Sequence, residues 1–310
     1  MAFSADWRIS RGGPDVLSKF LGCMLSAALG DALGASFHHP SERALRYTDD
    51  TAMMIALAET ILECEGKLDP RRLAWRFVEA YEREPWRGYG PGPPRIFRLI
   101  RRGEGPLELD KRLYPGGSLG NGGAMRIAPV GLFYHDDPNM LRKAVEISCK
   151  PTHNHPLGVE GALIEAAAVA MAVELEPEGR VDPSYFTDRL LSFASSEVYE
   201  RKLKLIPELL KMDAPRRLVA EKLGRSVEAY NSVPTAIYCY LRHQDPLASI
   251  RYAASLGGDR DTIACMAGAI AGAHRGVEPI PEDYLNRLEG RERIEELAEK
   301  LYRLKSSLRS

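Results

Sequence analysis

The chain has 310 residues, more than most single domains, and its 42 Lys and Arg nearly cancel its 43 Asp and Glu. No Lys/Arg stripe interleaved with aromatics crosses it, which argues against direct binding of DNA or RNA. No Ser/Gly linker, low-complexity tract or strong composition shift divides it, so a single domain over 1–310 is expected.

Met1 to Arg11 mixes polar and apolar residues without the apolar run of a signal peptide. Leu17, Phe20, Leu21, Met24, Leu25, Ala28 and Leu29 then recur at three- and four-residue steps and form one apolar helical face. Gly30-Asp31-Ala32-Leu33-Gly34 follows, and His38-His39 reads as a solvated loop. Thr48-Asp49-Asp50-Thr51 opens the next stripe, Ala52 to Leu62. Such a cluster is an ordinary helix N-terminus, where Thr and Asp cap amides and favour the dipole, or half of a metal site.

Further stripes cover Leu73 to Tyr81, Ile127 to Phe133, Leu141 to Ile147, Gly161 to Leu175, Ala236 to Leu241 and Ile263 to Ala273. Breakers separate them at Pro40, Pro85 to Pro94, Gly116 to Gly123, Pro151, Pro156, Pro177, Pro215, Pro234 and Pro246. Alternating strand patterns are scarce, so an all-α, compact helical bundle is the expected fold class. Gly116 to Gly123 holds five glycines in eight residues before a helix expected to start near Ala124. The segment is either a flexible loop or a cradle of amide N–H groups suited to phosphate. Thr152-His153-Asn154-His155 precedes another helix, and its two histidines lack further ligands at metal spacing.

Ala162 to Val173 is interrupted by Glu165 and too short to span a bilayer, as is the Ala- and Gly-rich run after Ile263, which is expected to form a buried central helix. The five cysteines, Cys23, Cys64, Cys149, Cys239 and Cys265, have no paired metal spacing and fit small buried thiols. A cytoplasmic protein without a membrane segment is expected. Gly257-Gly258-Asp259-Arg260-Asp261-Thr262 repeats the acidic theme at a second expected helix start, and Arg291 to Arg303 reads as a solvated terminal helix.

If the fold brings the two acidic turns together, Asp49, Asp50, Asp259 and Asp261 cannot all stay ionised without cations. Hydroxyl and carboxylate oxygens are hard ligands that suit magnesium or manganese rather than zinc. The pattern suggests a dinuclear, magnesium-type hydrolytic site.

With these residues assembled, the sequence resembles the ADP-ribosylglycohydrolase family, which includes the dinitrogenase-reductase-activating glycohydrolases and the ADP-ribosyl-acceptor hydrolases. The resemblance spans nearly the whole chain. It rests on Gly30 to Gly34, Tyr47-Thr48-Asp49-Asp50-Thr51-Ala52-Met53, Gly120-Asn121-Gly122-Gly123-Ala124-Met125-Arg126, Thr152-His153, and Ser255 to Asp259 through Asp261-Thr262-Ile263-Ala264. Arg87-Gly88-Tyr89-Gly90 and Val233 to Cys239 resemble the branch that removes ADP-ribose from serine and degrades its polymers.

The resemblance implies an orthogonal all-α bundle with two magnesium ions, or manganese in their place, at the base of a cleft. Thr48, Asp49 and Asp50 would hold one ion, Asp259 and Thr262 the other, with Asp261 bridging. Gly117, Ser118, Gly120, Asn121 and Gly122 would cradle the diphosphate and neighbouring ribose, with His153 close by. The reaction implied is hydrolysis at the anomeric carbon of the distal ribose, with Asp259 foremost, and Asp261, as carriers of the proton. Its partners would be ADP-ribosylated proteins or ADP-ribose polymer, with ADP-ribose as product and a monomer as the acting form.

Three departures from the family pattern stand out. A glutamate usual shortly after the Gly-Asp-x-x-Gly turn falls on His38, leaving His38 or Glu42 to ligate a metal or move a proton. Arg260 stands where a small hydroxyl residue is common, and either faces solvent or contacts phosphate. Leu113 and Leu119, with Tyr114 adjacent, replace aromatics that sandwich adenine. An arginine-directed N-glycosidic hydrolase and a non-catalytic ADP-ribose binder are the alternatives.

Overall fold

A computed structural model describes residues 14–37 and 44–309; His38 and Glu42 lie outside the described residues. The helices are α1 (Pro14–Ala35), α2 (Asp49–Glu63), α3 (Pro70–Arg83), α4 (Gly92–Arg101), α5 (Asp110–Leu113), α6 (Ala128–Phe133), α7 (Pro138–Cys149) and α8 (Pro156–Val173). They continue as α9 (Pro183–Leu191), α10 (Glu197–Lys211), α11 (Arg216–Leu223), α12 (Ala229–His243), α13 (Pro246–Ser255), α14 (Arg260–Arg275), α15 (Glu282–Arg287) and α16 (Arg291–Ser307). Among the described residues the β-structure amounts to two isolated bridges, Leu45 with Leu288 and Gly120 with Glu228, so the all-α expectation holds.

Four of the helix starts share one device. Asp69, Asp137, Asp182 and Asp245 each sit before a proline and accept a first-turn amide through the side chain. The aspartate satisfies an orphan donor, while proline, lacking an N–H, occupies a position that has none to lose. These four prolines thus mark beginnings rather than interruptions.

Pro234 does not follow that rule: it lies inside α12, which begins at Ala229. A proline there leaves the carbonyl four residues earlier without its helical donor. Tyr230 O instead accepts from Lys202 Nζ at 2.7 Å, which removes the main penalty. A second difference concerns Ala124. A short 3₁₀ turn, Asn121–Gly123, precedes a further turn, and α6 starts only at Ala128. A helix running from Ala124 would hold Pro129 in its interior, whereas the observed start puts it in the first turn.

Helices α1 and α14 form the centre, and their backbones nearly touch. A Cβ on Gly30 would stand 2.2 Å from Ala264 O, one on Gly268 2.4 Å from Ser26 O, and one on Gly272 2.1 Å from Gly22 O. Only glycine allows this approach, as expected of a buried, Ala- and Gly-rich helix. Gly34 completes the series, since a Cβ there would lie 2.5 Å from Asp261 Cα. The Gly-Asp-x-x-Gly segment therefore seats the end of α1 against the start of α14 and carries Asp31 with it.

The helix over Ala162 to Val173 extends back to Pro156, so α8 is longer than the apolar run alone. Both α1 and α8 are long and apolar enough, by length and composition, to cross a membrane, but 78% and 83% of their windows are buried within the protein. Helices apolar on every side occupy the centre of large domains for the same reason.

Candidate active site

The first acidic turn is held from below by Asp31. Its carboxylate accepts the Thr48 amide at 2.9 Å, the Thr48 hydroxyl at 2.7 Å, the Thr51 amide at 3.1 Å and the Thr51 hydroxyl at 2.6 Å. Thr48 is the N-cap of α2, its Oγ1 accepting from the Asp50 amide at 3.4 Å. With Thr48 and Asp31 capping the helix, Asp49 and Asp50 are not needed for that task. Asp50 is buried and its Oδ2 has no hydrogen-bond partner. A buried carboxylate oxygen left unsatisfied is costly unless a cation completes it.

The second turn is shaped by glycine. Gly257 and Gly258 adopt positive φ of 79° and 71°, and a Cβ on Gly258 would lie 1.9 Å from Arg225 O. Arg225 O in turn accepts the Asp259 amide at 2.8 Å. Asp259 is further fixed by Asn121, whose Nδ2 donates to its Oδ2 at 2.6 Å. Thr262 is buried on the first turn of α14, and Asp261 is half-buried beside it.

The two turns, some 200 residues apart in sequence, meet in one electrostatic environment. Burial, then the charges of Asp31, Asp261 and Asp259, push the Asp49 carboxyl up to about 7. Burial raises Asp31 and Asp259 each to about 6, against hydrogen bonds from Thr51 and Thr48 in one case and Asn121 in the other. Asp50 is driven well above the ordinary carboxylate value by burial and by Asp31, Asp49, Asp261 and Asp259. The donors are all oxygen, which fits a hard divalent cation, and the orphaned Asp50 Oδ2 fits one too. Among the described residues no three His, Cys, Asp or Glu side chains stand in a preformed ligation cage. The fit is therefore one of donor chemistry and charge.

The facing wall is the glycine segment. Its amides are more committed than the sequence suggests: Gly117 donates to Tyr114 O, Ser118 to Asp110 Oδ2, Gly120 to Ser118 Oγ and Asn121 to Val227 O. These four amides are held within the protein, and their hydrogen bonds fix the shape of the loop. Buried Asp110 also accepts the Asn154 amide at 2.7 Å and Asn154 Nδ2 at 2.6 Å, joining the loop to the segment that carries His153. The stretch 225–229 is a strap between the two walls. It binds Asp259 through Arg225 O, Asn121 through Val227 O and Leu119 O through the Ala229 amide.

His153 lies against the loop: a Cβ on Gly122 would come within 2.4 Å of its ring. Burial and the neighbouring Arg126 charge push its pKa down to about 3. His155 does not join it as a ligand; its Nδ1 caps α8 by accepting from the Leu157 amide. The Arg260 guanidinium stacks 5.2 Å from the Phe37 ring centroid. Arg87 grips the Tyr47 carbonyl and both oxygens of Glu289, while its own carbonyl accepts the Asp49 amide at 2.8 Å. Beside it, the Tyr89 hydroxyl is buried without a hydrogen bond and within reach of the Asp49 charge. Leu113, Tyr114 and Leu119 are half-buried near the loop.

Sequence reading missed Asp31 and Asp110 as organisers. A lone aspartate after an unbroken apolar helical stripe was the available signal for Asp31. Asp110 carries none, because its partners come from Ser118 and Asn154, which only the fold assembles.

Known proteins match the chain over most of its length. The family model described as ADP-ribosylglycohydrolase matches residues 13–309. The chain is 36% identical to the bovine ADP-ribosylhydrolase ARH3, with 94% of each chain covered. It is 35% identical to the human ADP-ribosylhydrolase ARH3, covering 94% of this chain and 95% of that one. An uncharacterised protein of Archaeoglobus fulgidus is 32% identical over 92% of this chain and 96% of its own. Among solved structures, one titled ADP-ribosylglycohydrolase-related protein complex superposes with a TM-score of 0.72 at 26% identity, covering 94% of this chain and 99% of that one.

Proposed function

The chain belongs to the ADP-ribosylglycohydrolase family, and from that premise we propose that it is a magnesium-dependent enzyme cleaving the O-glycosidic bond between ADP-ribose and serine or the next unit of an ADP-ribose polymer. The hydrolase class follows from the family. The serine or polymer linkage is supported by Arg87 to Gly90 and Val233 to Cys239, and by the likeness to relatives named ARH3. The observation that carries the reading is the convergence of the acidic turns of α2 and α14 around Asp31.

Thr48, Asp49 and Asp50 would hold one ion and Asp259 and Thr262 a second, with Asp261 between them. Bound ions of this kind supply Lewis acidity, lowering the pKa of a water and orienting ribose hydroxyls. The protein supplies the rest. Asp31 fixes the first turn from beneath, so Asp49 and Asp50 present their oxygens without a conformational search. Asn121 donates to Asp259 and orients its carboxylate, which would take or return the proton at the glycosidic oxygen, the step an oxocarbenium-like transition state requires. Gly117, Ser118, Gly120, Asn121 and Gly122, with His153, would seat the diphosphate and its ribose. His38, or Glu42, would complete the site as ligand or proton carrier.

The test is release of ADP-ribose from a serine-modified peptide, an arginine-modified peptide and polymer, side by side, in magnesium and in chelator. Release from serine or polymer in magnesium, its loss in chelator, and its loss in Asp261→Ala by at least about a thousandfold are expected. Turnover that persists in chelator contradicts the metal reading, and turnover confined to the arginine peptide replaces the linkage.

A further inference from the structure

Arg126 is the largest wholly buried side chain among the described residues. Its partners are neutral: Ser148 O at 3.1 Å, Thr152 Oγ1 at 2.8 Å, Met53 Sδ at 4.0 Å and the Phe77 ring, whose centroid lies 4.5 Å from the guanidinium carbon. Burial pushes even this guanidinium down to about 10. A buried cation without a bonded carboxylate is poor stabilisation, since an apolar residue of like volume would pack there at less cost. Its placement asks for another explanation, and the strongest bond it makes points to one.

Thr152 Oγ1 stands 2.8 Å from Arg126 Nη2 and 2.8 Å from His153 Nδ1. A guanidinium only donates, so Arg126 occupies a lone pair of the hydroxyl. The hydroxyl has one hydrogen, and the acceptor in reach among the described residues is His153 Nδ1. The reverse arrangement, with Nδ1–H donating to Thr152, would direct two donors at one oxygen and strand the hydroxyl hydrogen. Nδ1 therefore accepts, and in a neutral ring the proton then sits on Nε2. That nitrogen faces the glycine loop: Cβ atoms built on Gly120 and Gly122 would lie 3.3 Å and 2.6 Å from it.

We propose that Arg126 is a positioning residue which, through the Thr152 hydroxyl, locks His153 in the Nε2–H tautomer and aims that donor at the ligand side of the glycine loop. His153 then serves neither as general base nor as acid; it is a neutral donor to an anionic or hydroxyl oxygen. The identity of that oxygen, on the diphosphate or adjoining ribose of ADP-ribose, rests on the proposed function, whereas the tautomer does not. The arrangement also accounts for glycine at position 122, because a side chain there would displace the ring that the relay orients.

Two-bond nitrogen–proton spectra of the intact chain labelled with ¹⁵N-histidine test the relay without metal or turnover. The His153 signals are identified by their loss in His153→Gln. Wild type and Thr152→Ser should show Nε2–H alone. Thr152→Val should show a mixture of tautomers and, by calorimetry, bind ADP-ribose roughly tenfold more weakly, with Thr152→Ser restoring affinity. A packing role alone for Arg126 and Thr152 would leave the tautomer unmoved. Nδ1–H in the wild type overturns the proposal, and so does a Thr152→Val protein that keeps either the pure Nε2–H form or full affinity. Should Thr152→Val fail to fold, the wild-type and Thr152→Ser spectra decide. An Nε2–H wild type that binds no ADP-ribose upholds the relay and refutes the proposed function instead.

Discussion

The two walls of the site are built on opposite electrostatic plans. On the acidic wall, α1, α2 and α14 drive Asp31, Asp49, Asp50 and Asp259 to raised pKa values and leave an Asp50 oxygen without a partner. On the glycine wall, Asp110, Ser118 and the 225–229 strap take the amides of Ser118, Asn154, Gly120 and Asn121, and His153 is kept neutral. One wall stores unfavourable charge that cations would relieve; the other is neutral and has its loop fixed by hydrogen bonds before any ligand arrives. The contrast teaches that metal affinity and substrate affinity should respond to different residues.

The strongest way to break the contrast is Asp31→Ala. It removes the acceptor of four hydrogen bonds and strands buried donors, so a loss of about 3 kcal/mol in thermal or denaturant unfolding is expected, with activity abolished. An active, stable variant would mean that the first turn needs no support from α1. Gly122→Ala attacks the other wall. Its Cβ must displace the His153 ring, so ADP-ribose binding should weaken roughly tenfold while magnesium affinity is unchanged. Calorimetric titrations with each ligand separate the two effects.

The pH dependence of stability sharpens the same distinction. Asp31 and Asp259 rise to about 6 and Asp49 to about 7, above the ordinary 3.8, so the folded state binds protons more tightly than the unfolded one. Their contribution is then present at low pH and lost as pH climbs from about 4 to about 7. Thermal melts in chelator should fall between pH 5 and pH 8, and magnesium should raise the melting temperature most at pH 8. A chelator-treated protein whose stability does not fall over that interval would show that the carboxylates are not crowded. The smallest effect is expected of Arg260→Ser. Its stacking on Phe37 is worth roughly 0.5–1 kcal/mol, and kcat/KM should change by no more than about threefold.

The two acidic turns were legible because Thr48-Asp49-Asp50 and Asp259-Arg260-Asp261-Thr262 place more acceptors at a helix start than capping can use. Gly34 and Gly30 were legible as a motif, though their reason is spatial: they let α1 meet α14 at Asp261 and Ala264. What stayed hidden depends on partners distant in sequence. Pro234 reads as a breaker until Lys202 is seen to satisfy Tyr230 O. The glycine segment reads as either a flexible loop or an amide cradle until Asp110 and the strap are seen to fix it through Ser118 and Asn121. The helix expected near Ala124 gives way to a 3₁₀ turn because Pro129 fixes where α6 can begin.

The most direct test of the central claim is anomalous diffraction from crystals soaked in manganese, which reports ion positions independently of turnover. The account predicts two peaks, one beside Asp49 and Asp50 and one beside Asp259 and Thr262, with Asp261 reaching both. Full manganese occupancy elsewhere, with neither peak between the starts of α2 and α14, would contradict it.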